Sequence, residues 1–253
     1  MTGMGIYPVQ TGSKRRYGER LSKLCGDNFA AGRAQIQEHR TMHHQYTAAE
    51  RRFDGVVHVL GMVLSGLGAI TLLGLTGTAG DTLLFIAAAI YSLGLIATFW
   101  FSAAYNLSIT PKRKTLLRRF DHAAIYVMIA GTYTPLAMIS IGGTVGYGLL
   151  ALVWSIAGLG LVLKLGWPHR FERLSVALYL ALGWVGLFVI GSIIQALPVS
   201  ALILLLIGGI FYTTGVIFHL WTRLPFQNAI WHCFVLVAAV CHYAAVVDAI
   251  LPQ

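Results

Sequence analysis

The sequence predicts an all-α membrane protein, a seven-transmembrane-helix bundle with its N-terminus cytoplasmic and its C-terminus outside. Three observations predict it. Only 11% of the 253 residues are charged and 57% are hydrophobic, with a mean hydropathy of +0.73, whereas a soluble domain carries about 25% charged residues. The hydrophobic residues fall into blocks near the roughly 20 residues that cross a ~30 Å hydrocarbon core. All 18 Lys and Arg residues lie before the first block or at alternate joins between blocks.

The first block, 55–76, follows Thr47-Ala48-Ala49-Glu50, which has the form of a capping box. The helix is expected to start there, with Arg51 and Arg52 at the headgroups. The second block, 82–108, follows the join Gly77 to Asp81, and the third, 122–142, follows Thr110 to Arg119. Only Gly142-Gly143-Thr144 separates the third block from the fourth, 144–165, but the combined run is too long for one crossing. The fifth block, 174–194, follows Gly166 to Arg173. The sixth, 199–220, follows Leu197-Pro198, and the seventh, 230–251, follows Leu224 to Gln227. With no water to satisfy backbone groups, each block is expected to be a helix.

Orientation follows from the basic residues. Nine precede the first block, five lie in the second join, three at the fourth (Lys164, Arg170, Arg173) and one in the sixth (Arg223). The first, third and fifth joins and the C-terminus have none, which by the positive-inside rule places the N-terminus in the cytoplasm. The same pattern supports an odd number of crossings, because a six-helix count would mix the two sets of joins. The net charge of +9 is then topology and contact with anionic lipid. Membrane lipids are the expected partners. Nucleic acid is not expected, because the basic residues are spread among loops.

Two regions result: a basic cytoplasmic N-terminal segment over 1–46, partly disordered, and the transmembrane domain over 47–253. In the segment, Phe29 to Tyr46 could lie as an interfacial helix, where His39 and His43 are four apart beside His44. That spacing suits a metal ion on a helix, or simply a solvated face. The first 25 residues are polar and basic without the apolar core of a signal peptide, so the chain is expected to be a multi-pass protein of the cell (cytoplasmic) membrane. Cys25, Cys233 and Cys241 are odd in number with no CxxC spacing and read as packing residues. Glycines such as Gly61, Gly66, Gly68, Gly158, Gly160, Gly183, Gly186, Gly208, Gly209 and Gly215 are expected to let helices approach closely.

Polar residues within membrane helices are costly, so a convergent set of them is a candidate site. The second crossing ends in Ser102-Ala-Ala-Tyr-Asn106, the third starts with Phe120-Asp121-His122, and the seventh starts with Asn228-Ala-Ile-Trp-His232. Ser102 and Asn106 are four apart and share a face, as do Asn228 and His232. Asp54 and His58, also four apart, and His219 fall at the same end of the bundle. All are placed at the cytoplasmic side.

These segments, with Phe120 to Pro135, Gly209 to Gly215 and Asn228 to Leu236, carry a resemblance. Over about Glu50 to Val247 the chain resembles the hemolysin III branch of the progestin and adiponectin receptor family. The resemblance implies seven helices with the N-terminus inside, and a zinc ion near the cytoplasmic face. Its ligands would be a His closing a Ser-x-x-x-His motif on the second helix and two in a His-x-x-x-His motif on the seventh. The Ser and an Asp on the third helix would hold a water on the ion. Ser102, Asp121 and His232 match that pattern, whereas Asn106 and Asn228 stand at two of the three ligand positions. An amide oxygen suits harder cations better than zinc.

Three readings of the pocket stay open. Zinc is lost and Asn106 and Asn228 hydrogen-bond across the helices; or a metal is kept by His232 and Asp121, with His58 as an auxiliary; or another histidine rebuilds the site. For the last, His242 is the candidate, but it lies about 15 Å along the helix from His232 and about 80° around it. It reads instead as a buried neutral histidine bonded to a neighbour. The expected function is a hemolysin III-like membrane protein with a degenerate zinc-hydrolase-type pocket that senses or adjusts membrane lipid state. One alternative is a metal-dependent lipid amide hydrolase of the ceramidase type, with Asp121 and Ser102 catalytic. A second is a cytolysis-associated protein.

Overall fold

The computed structural model describes residues 47–167 and 172–251. The segment holding His39, His43 and His44, and the interfacial helix expected there, lie outside these residues. Seven helices are long and apolar enough to cross a membrane, and no strand occurs among the described residues. They are α1 (Ala48–Thr78), α2 (Thr82–Leu107), α3 (Pro111–Pro135, prolonged by a π-helical stretch Leu136–Ile141), α4 (Gly143–Gly166), α5, α6 (Val199–Leu220) and α7 (Gln227–Ile250). α5 is made of Glu172–Gly183, a 3-10 stretch Val185–Val189 and Ile190–Ala196. Helix α2 packs between α1 and α3, and α6 pairs with α7, which returns against α1. The outward faces are apolar: Ile70, Val199 and Phe188 are 72%, 70% and 90% exposed, as expected of side chains that meet lipid rather than water.

Where α1 begins, the capping box is complete. The Thr47 hydroxyl accepts from the Glu50 amide at 3.1 Å, and Glu50 Oε2 accepts from the Thr47 amide at 2.7 Å. Glu50 Oε1 takes a further bond from the Phe226 amide at 2.8 Å, so one buried carboxylate ties the first helix to the chain entering the last. Phe226 adopts a left-handed conformation, φ 57°.

The break between the third and fourth crossings is sharp: Gly142 and Gly143 both have positive φ, 61° and 55°, a conformation glycine adopts without steric cost. Helix starts depart from the expected ones. α3 opens at Pro111, so Lys112 to Arg119 are helical rather than part of a join. Hydropathy marks where the hydrocarbon begins, and a helix continues past it into the headgroups. The interruption of α5 is also new. Its freed backbone groups are met by Tyr133, whose hydroxyl donates to the Gly183 carbonyl at 2.8 Å and accepts from the Gly186 amide at 3.0 Å. The close approach of α2 and α3 rests on Gly94 and Gly131: a Cβ on either would come within 3.0 Å and 3.3 Å of a carbonyl on the other helix. Of the glycines expected to pack, Gly66, Gly158 and Gly183 face open space.

Candidate metal centre

Three local facts bring the site together. The capping box fixes the register of α1, so Asp54 and His58 project on one face a turn apart. The last turns of α2 supply Ser102 and Asn106, and the first turns of α7 supply Asn228 and His232. The close contact of α1 with both α2 and α7 places these at one depth. Asp54, His58 and Ser102 are buried, and the His232 side chain is nearly so.

Asp54, His58 and His232 each offer a ligand atom within 4.8 Å of the others, a group able to hold a metal ion. The two imidazoles lie with ring centroids 4.3 Å apart. Their hydrogen bonds decide which nitrogens are free. His58 Nδ1 faces the Asp54 carbonyl at 2.7 Å, and His232 Nδ1 faces the Asn228 carbonyl at 2.8 Å. A carbonyl only accepts, so both Nδ1 atoms carry the proton and both Nε2 atoms present lone pairs. These lone pairs converge on one atom: Ser102 Oγ lies 3.4 Å from His58 Nε2 and 3.1 Å from His232 Nε2.

A hydroxyl has a single proton, and the Asp121 carboxylate competes for it with both imidazoles. At least one imidazole lone pair therefore faces oxygen in a buried setting, an arrangement that a cation between the rings relieves. Backbone carbonyls that fix the imidazole tautomer are the usual outer shell of histidine ligands. The Asp54 carboxylate lies on the opposite side of the rings. Its Oδ1 is 3.5 Å from His58 Nδ1 and 3.8 Å from His232 Nδ1, the nitrogens already engaged. Asp54 therefore fits a flanking counter-charge rather than a ligand on the Nε2 side. Asp121 is outside the close group, its carboxylate facing the Ser102 hydroxyl.

The two asparagines are occupied elsewhere. Asn228 Nδ2 donates to both Asp54 carboxylate oxygens, at 2.9 and 3.1 Å, and to Asn106 Oδ1 at 3.1 Å. A carboxylate only accepts, so the amide nitrogen must be the atom facing it. Asn106 Nδ2 in turn donates to the Ser102 carbonyl at 2.9 Å. The cross-helix bond between Asn106 and Asn228 is thus made, and the Asn106 amide oxygen is engaged by Asn228 rather than presented to the imidazole pair. Among the described residues a three-imidazole zinc set is not assembled; two imidazoles, a hydroxyl and two nearby carboxylates are.

Of the other expected residues, His219 packs its ring on Trp231, centroids 5.0 Å apart. The carbonyl of His122 accepts from Tyr179 at 2.9 Å. His242 is buried deeper and donates Nε2–H to the Leu205 carbonyl at 3.2 Å. The sequence places Asp54 beside His58 on one helix face; its bond to Asn228, which joins residues 174 positions apart, emerges only in the fold.

The family described as haemolysin-III related matches residues 46–243. The chain is 35% identical over 199 residues to "Hemolysin-3" of Bacillus cereus, covering 79% of this chain and 91% of that one. It is 35% identical over 191 residues to the "Hemolysin-3 homolog" of Bacillus subtilis (strain 168), covering 76% and 90%. It is 30% identical over 169 residues to the human "Monocyte to macrophage differentiation factor", covering 64% and 69%.

Proposed function

The chain belongs to the haemolysin-III related family, and from that premise we propose that it senses or adjusts membrane lipid state through a divalent cation held between His58 and His232. The N-terminus is cytoplasmic in this reading, the protein resides in the cell membrane, and membrane lipids are its partners. The observation that carries the proposal is the convergence of two imidazole lone pairs on Ser102 Oγ. Charge supports it as well. Asp54 and Asp121 flank the place such an ion would take, and two carboxylates balance a divalent charge that low-dielectric surroundings would otherwise penalise heavily. Zinc suits the imidazoles. The hydroxyl and carboxylates equally suit manganese or another harder ion.

A second reading is hydrolysis of a lipid amide, favoured by the Asp121 carboxylate next to Ser102. A bound ion would lower the pKa of water toward ~7 and polarise a carbonyl. Ser102 would position that water and Asp121 would take its proton.

Metal analysis of detergent-purified protein tests the site. Close to one ion per chain is expected in the wild type, lost in His58→Ala and in His232→Ala. A wild type as metal-free as both variants would overturn it. Assay of an N-acyl sphingoid lipid in nanodiscs separates the readings: metal-dependent turnover abolished by Asp121→Asn supports the hydrolase, and metal-loaded protein without turnover supports the sensor.

A further inference from the structure

About ten residues beyond His232 on α7 lies a second polar layer, in which one ring is fully buried and three are partly buried. Tyr91 on α2 is fully buried in the main hydrophobic cluster, and its hydroxyl has no hydrogen-bond partner among the described residues. A bare hydroxyl enclosed in hydrocarbon is costly, and buried hydroxyls are nearly always satisfied. Three more polar rings connect to it in turn. Tyr243 is 6.3 Å from Tyr91, centroid to centroid. Tyr212 on α6 is within electrostatic reach of Tyr91 and 5.4 Å from the His242 ring.

The bundle makes room for these groups. A Cβ at position 208 would stand 2.3 Å from His242 Cδ2, and one at position 68 would stand 3.1 Å from the Tyr243 ring. Glycine at each lets the imidazole and the phenol sit between helices. Tyr243 spends its proton on the Gly68 carbonyl at 2.8 Å, and His242 spends Nε2–H on the Leu205 carbonyl. Among the described residues, what remains is a donor and acceptor on each of Tyr91 and Tyr212, a lone pair on Tyr243 and the Nδ1 lone pair of His242. A buried water needs two to four such partners.

We propose that this layer between α2, α6 and α7 is an internal water-binding site, in which Tyr91, Tyr212 and His242 hold one or more water molecules. The site is distinct from the metal pocket. It lies about 15 Å deeper by helix rise, shares no residue with that pocket, and does not depend on the pocket's occupancy.

Hydroxyl-radical labelling of the full chain in nanodiscs, in ¹⁸O water with mass-spectrometric readout, tests it. Tyr91 is expected to be labelled despite its burial. Tyr126, equally buried but bonded to Ser175, serves as the dry control and stays unlabelled. Tyr91 as inert as Tyr126 would overturn the proposal. So would a lipid that co-purifies and is released by Tyr91→Phe in native mass spectrometry, since that occupant replaces water. Thermal unfolding of Tyr91→Phe adds a test of sign: a hydrated hydroxyl predicts a lowered midpoint, whereas a raised midpoint means the hydroxyl was bare and refutes the site. Metal content is expected to be unchanged in this variant.

Discussion

Asn228 on α7 donates its side-chain amide to the carboxylate of Asp54 on α1 at 2.9 Å, and through that bond the two ends of the bundle's chain meet. The same amide nitrogen holds Asn106 of α2, so a single NH2 group links three helices. Removing it leaves a buried carboxylate with fewer donors. Asn228→Ala is expected to lower stability by about 1–3 kcal/mol, the cost of an unsatisfied buried polar group. Asp54→Asn in the same chain is expected to return part of that loss, since the orphaned charge is gone. Thermal unfolding in detergent of both single variants and the double variant checks it. Strict additivity would mean that the bond carries no energy.

The asparagines also set the metal chemistry. With both amides turned toward Asp54 and Ser102, the pocket has two imidazoles where three would bind zinc tightly. Asn106→His combined with Asn228→His adds two imidazoles at the same depth. The double variant is expected to bind zinc at least tenfold more tightly than the wild type, measured by competition with a chelator. Unchanged affinity would show that positions 106 and 228 do not address the same ion as His232.

Much of this was legible in the sequence, and what was not has a physical cause. Apolar runs mark the crossings because the bilayer imposes one length on all of them, and the glycine pair at 142–143 marks a break because few other residues tolerate its backbone. That Ser102, Asp121 and His232 lie at one end of the bundle was legible because each is a polar residue at a helix end, where the chain direction alternates from crossing to crossing. The gap in α5 was not. Gly183 and Gly186 look like packing glycines, and only Tyr133, some fifty residues away, explains how the open backbone is tolerated. Nor was the bond between Asp54 and Asn228, which exists only once α1 and α7 lie side by side.

Tyr133 gives the third prediction. Its hydroxyl both donates to Gly183 and accepts from Gly186, so Tyr133→Phe removes two bonds and exposes two backbone groups at the gap. A loss of about 1–3 kcal/mol is expected, with faster amide exchange confined to the 183–189 stretch. Unchanged exchange there would mean the gap is held by packing alone.

A pair of glycines separates contact from backbone freedom. At Gly146 a Cβ would stand 2.2 Å from the Ala137 carbonyl oxygen, whereas at Gly148 it would meet nothing. Both are in α4. Gly146→Ala is expected to destabilise by about 1–3 kcal/mol through a clash that backbone cannot easily relieve. Gly148→Ala is expected to stabilise by roughly 0.5–1 kcal/mol, because alanine loses less entropy on entering a helix. Unfolding of the two variants side by side reads the difference, and equal effects would show that α4 and the turn before it do not pack as described.

The last prediction concerns the side on which the pocket opens. Arg51, Arg52, Lys112 to Lys114, Arg118, Arg119, Lys164 and Arg223 all lie at the end of the bundle that holds His58 and His232, and the opposite end offers Asp81 and Asp248. There Asp81 caps α2 through the Leu83 and Leu84 amides, and Asp248 accepts from Ser200, so both acids serve local bonds. Retention of basic residues in the cytoplasm is then expected to orient every helix at once. A periplasmic-active reporter fused after Gln253 is expected to be active, and one fused in the loop at Thr222 inactive. The reverse result would turn the imidazole pair to the outer face. A sensor of the inner leaflet, or a hydrolase releasing product into the cytoplasm, requires the orientation predicted.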